Sequence, residues 1–215
     1  MRVLRCGDRG VLVEVDDLAQ VLALGAALRS APPAGVVEVV PAARTLLLRY
    51  DPARTSHDAL AAAVSRSGAQ VLAGPGPHDP APHAPARPGG VVEVPVRYDG
   101  EDLAEVAELV GIDPEEVVRR HSAAEYTCAF CGFAPGFAYL TGLDPLLRVP
   151  RRSSPRQAVP AGAVAVADGF TAVYPRSSPG GWRILGATDL PVWDLDRSTP
   201  ALIVPGARVR FVALP

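Results

Sequence analysis

Residues 163 to 174 read AVAVADGFTAVY. Ala163 to Ala167 is a short run of small and β-branched apolar side chains, Asp168 and Gly169 interrupt it, and Ala172 to Tyr174 resumes it. Runs this brief, bounded by Gly and turn formers, fit strands better than helices. Further runs at Ala201 to Val204 and Val209 to Ala213 are set apart by Pro and Gly in the same way. From Tyr126 onward the pattern predicts a compact β-barrel or sandwich, and no internal repeat is visible.

Upstream the periodicity changes. Val91 to Tyr98 reads as a strand, Asp102 to Val110 as an amphipathic helix stopped by Gly111, and Pro114 opens a further helix reaching Ala123. Ahead of these, AGPGPHDPAPHAPARPGG (73–90) has almost no apolar side chain to bury and reads as a semi-extended linker. In the N-terminal part, strands are expected at Val11 to Val15, Val36 to Val40 and Thr45 to Tyr50, with a last short one at Gln70 to Leu72. Helices are expected at Leu18 to Leu28 and at Ser56 to Ser67, the second capped by Thr55 or Ser56. The chain thus divides into an α+β domain of ferredoxin-like layout (1–75), a Pro/Gly-rich linker (76–90) and a mostly-β domain (91–215).

Composition narrows the functions available. With 48% hydrophobic and 20% charged residues among 215, the chain can bury a core; a net charge of −2 gives no broad attraction to nucleic acid or membranes. All 21 basic residues are Arg, which excludes a Walker A phosphate loop, Schiff-base catalysis and a lysine base. The N-terminus MRVLRCGDRG lacks an apolar signal region, and three Cys suit a reducing compartment. A cytoplasmic protein is expected.

Three stretches carry the candidate chemistry: GFAPGFAYL (132–140), PRRSSPRQAVPAG (150–162) and YPRSSPGGWRILG (174–186). Gly132, Pro135, Gly136, Gly180 and Gly181 shape loops able to present backbone N–H groups to an anion. Arg151, Arg152 and Arg156 supply guanidinium forks that match a carboxylate or phosphate. Phe133, Phe137, Tyr139, Tyr174 and Trp182 could wall an apolar pocket around them. The alternative is structural: Gly and Pro forming tight turns, aromatics filling the barrel and arginines solvated.

Several single residues have rival readings. His121 is an acid/base candidate or a helix C-terminal His facing the dipole. Asp168 and Asp144 could orient a water or Mg²⁺, or simply form turns. Cys128 and Cys131 make a C-x-x-C, but residues three apart on a strand point to opposite faces, so buried core cysteines are expected. His57, His78 and His83 are expected at the surface.

In this order, the three stretches resemble the signature of the family of 5-oxoprolinase B subunits, also known as allophanate hydrolase subunit 1 and as the sporulation-kinase inhibitor family. The pattern runs from GFxPGFxYL through PRRxxPRxxVPxG to YPxxxPGGW, and continues more weakly to Asp194 and the terminal PGARVRF (205–211). The resemblance implies a cyclophilin-like barrel and a share in ATP-dependent hydrolysis of 5-oxo-L-proline to L-glutamate. It implies partner subunits, C with a homologous barrel and A, and ATP as co-substrate, with Mg²⁺ as its candidate companion.

In that scheme Arg151, Arg152 and Arg156 recognise carboxylate and phosphate, with Arg152 directly catalytic, and His121 and Asp168 are the other catalytic candidates. The chain is expected to be a separate subunit, inactive alone, with no resident metal. Two departures stand out: Ala163 where the family usually has Ser, and Phe170 where it usually has Gln before Thr171. The related alternatives are a carboxyltransferase-type subunit of a urea or allophanate enzyme, and a regulator that inhibits a sensor histidine kinase through the N-terminal domain.

Overall fold

The computed structural model describes residues 1–73 and 90–215. The linker expected at 76–90, with His78 and His83, lies outside the described residues except for Gly90. Contacts divide the chain into two units, Met1–Pro85 and Ala86–Pro215.

In the first unit, β1 (Arg2–Arg5), β2 (Gly10–Glu14), α1 (Leu18–Ser30), β3 (Val36–Pro41), β4 (Thr45–Tyr50) and α2 (His57–Leu72) follow one another. The sheet is antiparallel in the order β1-β2-β4-β3. Asp17 caps α1 by accepting the Gln20 N–H at 2.9 Å, and Ser56 caps α2 by accepting the Ala59 N–H at 3.2 Å. Strand alternation sends Val11, Val13, Leu46 and Leu48 to one face, where Val21, Leu24, Leu28, Leu60 and Val64 of the helices cover them. The strand expected at Gln70 to Leu72 is instead the last turn of α2. A ferredoxin-like layout would place a closing strand after α2; here β1 occupies the edge beside β2. The Ala/Val-rich helical spacing of α2 simply continues through those residues.

In the second unit, β5 (Val92–Val96) leads to α3 (Leu103–Val110) and α4 (Pro114–Ala123). There follow β6 (Tyr126–Cys131), β7 (Ala138–Thr141), a 3-10 turn (Pro145–Leu147), β8 (Arg156–Val159), β9 (Ala163–Ala167) and β10 (Phe170–Val173). The last strands are β11 (Ser178–Gly180), β12 (Arg183–Ala187) and β13 (Arg208–Ala213). Seven of these form one sheet in the order β12-β9-β10-β7-β6-β13-β5, while β8 and β11 make a separate ribbon.

The sheet nearly closes into a barrel. Beyond β5, Arg97 exchanges two backbone hydrogen bonds of 2.9 and 2.8 Å with Ala187 of β12. Gly186 permits that approach, since a Cβ there would run into the carbonyl oxygen of Arg97. Val94, Val96, Tyr126, Leu140, Val166 and Phe211 are among the side chains filling the interior, which Val106 of α3 and Val117 of α4 also enter.

The strand expected at Ala201 to Val204 reduces to a single bridge between Ala201 and Trp193. Pro200 and Pro205 bracket that run and lack the N–H groups a ladder needs. Among the described residues, no helix is long and apolar enough to cross a membrane.

Candidate functional site

β9 is buried along its whole length. Val164 and Val166 belong to the barrel core, whereas Ala163, Ala165 and Ala167 join a second cluster with Phe137, Tyr174, Trp182 and Ile184. Small side chains there leave space for large rings, and a layer of aromatics fills it. Phe130 stacks on Tyr139 at 4.4 Å, and Tyr139 meets Phe170 and Trp182 edge to face, each at 5.6 Å. Phe137 meets Tyr174 at 5.1 Å and Trp182 at 5.5 Å in the same manner. Such offset and T-shaped contacts suit the ring quadrupoles. The five aromatics singled out in the sequence are therefore brought together, although Phe133 lies forty to fifty residues before Tyr174 and Trp182 along the chain.

Loop geometry presents one ring to solvent. Between β6 and β7, the Gly132 N–H donates to the Phe137 carbonyl at 3.2 Å and the Ala134 N–H to the Gly132 carbonyl at 2.7 Å. Phe133 is held at φ 67°, in the left-handed region a bulky residue avoids, yet remains 61% exposed with its ring edge-on to Phe137. Gly136, at φ 82°, lies where a Cβ would come 2.7 Å from the Cβ of Trp193, and Gly180 lies where a Cβ would meet the Tyr174 hydroxyl. Gly181 accepts the Arg152 N–H at 2.8 Å, tying the loop before β8 to this layer. Pro135 is exposed at the loop tip.

The three arginines separate by environment. Arg151 is exposed, and its partner is Asp168, equally exposed, at 3.6 Å. Burial raises the phenols of Tyr139 and Tyr174, and the charge of Arg151 opposes that rise at both. Arg152 and Arg156 instead bond carboxylates at the start of α3. Arg152 Nη1 donates to Asp102 Oδ1 at 2.7 Å, while Arg156 grips both Asp102 oxygens at 2.8 and 2.9 Å and reaches Glu101 at 3.1 Å.

Asp102 also accepts the Ile184 N–H at 2.7 Å. Burial alone would raise its carboxyl, but the Arg156 and Ile184 hydrogen bonds and the charges of Arg156 and Arg152 outweigh that and hold it below the usual carboxylate range. Nearby, Arg183 is buried against Glu105 at 2.6 Å. Acidic groups within the chain thus already engage both arginines on which substrate-anion recognition was expected, Arg156 at both terminal nitrogens and Arg152 through Nη1 alone. Sequence reasoning saw Asp102 only as the start of a helix. Its signal was the acidic run Glu101, Asp102 and Glu105 beside a surplus of arginines downstream.

His121 lies on α4 with no exposed surface. Tyr98 Oη pairs with its Nδ1 at 2.7 Å and Thr171 Oγ1 with its Nε2 at 2.9 Å. Thr171 donates to the Ala165 carbonyl at 3.2 Å, so its oxygen is left to accept Nε2–H, and Tyr98 must donate to Nδ1. Burial pulls the imidazole down to about 3, so it is neutral near pH 7. This arrangement braces α4 against β10. It keeps His121 on the inner side of β10, away from the rim where Phe170 sits.

Asp168 occupies the β9–β10 turn at φ 54°, exposed next to Arg151. Asp144 caps the 3-10 turn through the Leu146 N–H at 2.9 Å and accepts from Arg120 at 2.9 Å, which accounts for it structurally. Cys128 and Cys131 correct another expectation: their sulfurs lie 3.9 Å apart instead of on opposite faces. Among the described residues, no group of three or more His, Cys, Asp or Glu side chains is arranged to hold a metal ion.

The family described as "Carboxyltransferase domain, subdomain C and D" matches residues 1–203. The chain is similar to the 5-oxoprolinase B subunit of Bacillus subtilis, 44% identical over 127 residues, covering 58% of this chain and 53% of that one. It is similar to the 5-oxoprolinase B subunit of Escherichia coli O157:H7, 47% identical over 124 residues, covering 56% of this chain and 57% of that one. The chain spans about half the length of these curated relatives.

Among solved structures, TTHA0988 is 42% identical, with a TM-score of 0.71 over 96% of this chain and 40% of its own. The urea carboxylase of Kluyveromyces lactis, at 18% identity, shares the fold with a TM-score of 0.73 over 99% of this chain and 22% of its own.

Proposed function

The chain belongs to the family of carboxyltransferase domains, subdomains C and D, and from that premise we propose that it serves as the B subunit of an ATP-dependent 5-oxoprolinase. The similar chains from Bacillus subtilis and Escherichia coli that carry this name support the reading. The observation that carries it is the exposed Arg151, one residue before the Arg152–Gly181 backbone bond that ties its loop to the aromatic layer, together with Phe133 exposed on strained backbone against Tyr174. A five-membered cyclic amide has a flat face for the rings and, in 5-oxoproline, a carboxylate for Arg151.

Amide resonance makes such a ring resist hydrolysis near neutral pH. ATP supplies the activation by phosphorylating the amide oxygen, after which water attacks a carbon bearing a good leaving group. The residues of this chain bind and orient. Arg151 holds the carboxylate, the aromatic layer excludes water, and the Gly132–Gly136 and Pro179–Gly181 loops offer backbone donors where negative charge develops. Arg152 and Arg156 act at one remove: by gripping Asp102 they fix the segment that carries Arg151.

No step is assigned to Mg²⁺ on these residues. An ion arriving with the nucleotide would take most of its ligands from phosphate and water. The exposed rim fits a surface completed by another subunit, and subunits C and A are the proposed partners, in the cytoplasm. We read the second unit as a cyclophilin-like barrel. The likeness to urea carboxylase keeps a carboxyl-transfer reading as the alternative.

The two readings part in one assay. The chain, mixed with subunits A and C, is expected to release glutamate from 5-oxoproline with ATP consumption, and to do little alone. Biotin-dependent carboxylation without glutamate release would replace this reading with the carboxyltransferase one.

A further inference from the structure

On a regular strand, residues three apart face opposite sides. β6 is irregular: its register on β7 shifts between Cys128, which pairs Leu140, and Phe130, which pairs Tyr139. Ala129 is the extra residue of this bulge. The shift returns Cys131 to the side of Cys128 and leaves the two free sulfurs 3.9 Å apart. Cys128 is fully buried, whereas Cys131 is partly exposed and immediately precedes Gly132 of the signature loop.

We propose that Cys128 and Cys131 form an oxidisable dithiol, a modification site for a hydroperoxide, whose closure to a disulfide displaces the loop from Gly132 to Phe137. The inference stands independently of the hydrolase reading. Closure must shorten the sulfur separation from 3.9 Å to about 2.05 Å. Cys128 is locked within the barrel core, so the movable end is Cys131, and Gly132 transmits its displacement. The hydrogen bond from Cys128 lowers the Cys131 thiol despite burial, which makes the outer sulfur the first to ionise.

The chemistry balances in two steps. The Cys131 thiolate attacks the peroxide, the O–O bond breaks, and the departing alkoxide or hydroxide takes a proton, leaving a sulfenic acid. Cys128 then gives up its proton as its sulfur attacks Cys131, and water leaves. The two thiols lose two electrons and the peroxide gains them.

Both tryptophans of the chain report on the loop: Trp182 packs on Phe137 at 5.5 Å, and Trp193 flanks Gly136. The test uses the full chain with Cys6→Ser, which removes the exposed third thiol, reduced and then titrated with hydrogen peroxide. Both remaining thiols should disappear together. A single peptide should lose the mass of two hydrogens, tryptophan emission should shift, and dithiothreitol should reverse all three changes.

Sulfinic or sulfonic acid at Cys131 with Cys128 still alkylatable would overturn the dithiol. A disulfide with unchanged emission would overturn its coupling to the loop. Adding Cys128→Ser should replace the disulfide with over-oxidation of Cys131. Should that variant unfold, Cys131→Ser serves instead, and rapid loss of the Cys128 thiol to peroxide would then refute the order of attack.

Discussion

The Asp102 carboxylate receives the Arg156 guanidinium as a fork, Nη1 on Oδ2 at 2.9 Å and Nη2 on Oδ1 at 2.8 Å. This two-point contact, with Arg152 on the same carboxylate, pins the loop before β8 to the start of α3. Removing one member of a buried pair commonly costs about 3–5 kcal/mol, because the other charge is stranded. Asp102→Asn is expected at the lower end, since Arg152 keeps 31% of its side chain exposed, and the urea midpoint should fall accordingly.

The pH dependence follows from the same carboxyl. Its folded pKa lies below the unfolded one, so its stabilisation is complete above about pH 4 and is lost as pH falls through the lower folded value. The Asn variant should lack that part of the acid limb. A parallel limb in both proteins would assign the acid sensitivity elsewhere.

Arg151→Ala and Arg152→Ala should part company. Arg151 is exposed, with 60% of its side chain accessible, so its loss should change stability by no more than about 0.5 kcal/mol. In the reconstituted hydrolase it should lower kcat/KM roughly thirtyfold, corresponding to about 2 kcal/mol for a charge-assisted bond to the substrate carboxylate. Arg152→Ala should instead lower the urea midpoint, with activity falling because the loop loosens. Equal kinetics for wild type and Arg151→Ala would remove Arg151 from the site.

What the sequence made legible depended on how local the signal was. Short apolar runs between Gly and Pro marked β9 to the residue and β10 with a start two residues late, and Gly111 and Pro114 marked the ends of helices, because those signals lie within a few residues of what they control. The aromatic layer was legible as a set of residues, though not as the outer face of β9. That depends on Ala163, Ala165 and Ala167 facing away from the barrel, a consequence of register. The fate of Arg152 and Arg156 was not legible, because their partner Asp102 is about fifty residues distant and nothing local says which way a guanidinium turns. The cysteine pair was misjudged for a related reason: one bulge at Ala129 reverses a parity that the sequence takes for granted.

His121 should leave its mark on stability more than on pH–rate behaviour. Its imidazole falls from 6.5 to about 3 on burial, so below pH 6.5 the unfolded chain binds a proton that the folded chain refuses. Stability is therefore full above the unfolded value and declines toward pH 3, by at most about 1.4 kcal/mol per pH unit. His121→Gln should remove that slope. Proton NMR should show no His121 titration between pH 5 and 8, and an imidazole titrating near 6.5 would contradict the sealed contacts with Tyr98 and Thr171.

Phe133 offers the sharpest separation of stability from function. At φ 67° it holds a conformation that costs a bulky residue about 1 kcal/mol or more, and at 61% exposure its ring recovers little of that by burial. Glycine adopts the same backbone freely, although it also widens the unfolded ensemble, which opposes the gain. Phe133→Gly is therefore expected to hold or raise the melting temperature of the isolated chain. It should also lower kcat/KM in the reconstituted hydrolase, because an exposed ring on strained backbone beside Tyr174 serves a ligand or a facing subunit. A gain in stability with activity unchanged would make the ring incidental, and a clear loss of stability would show that the contact with Phe137, 5.2 Å between ring centres, is what holds the loop.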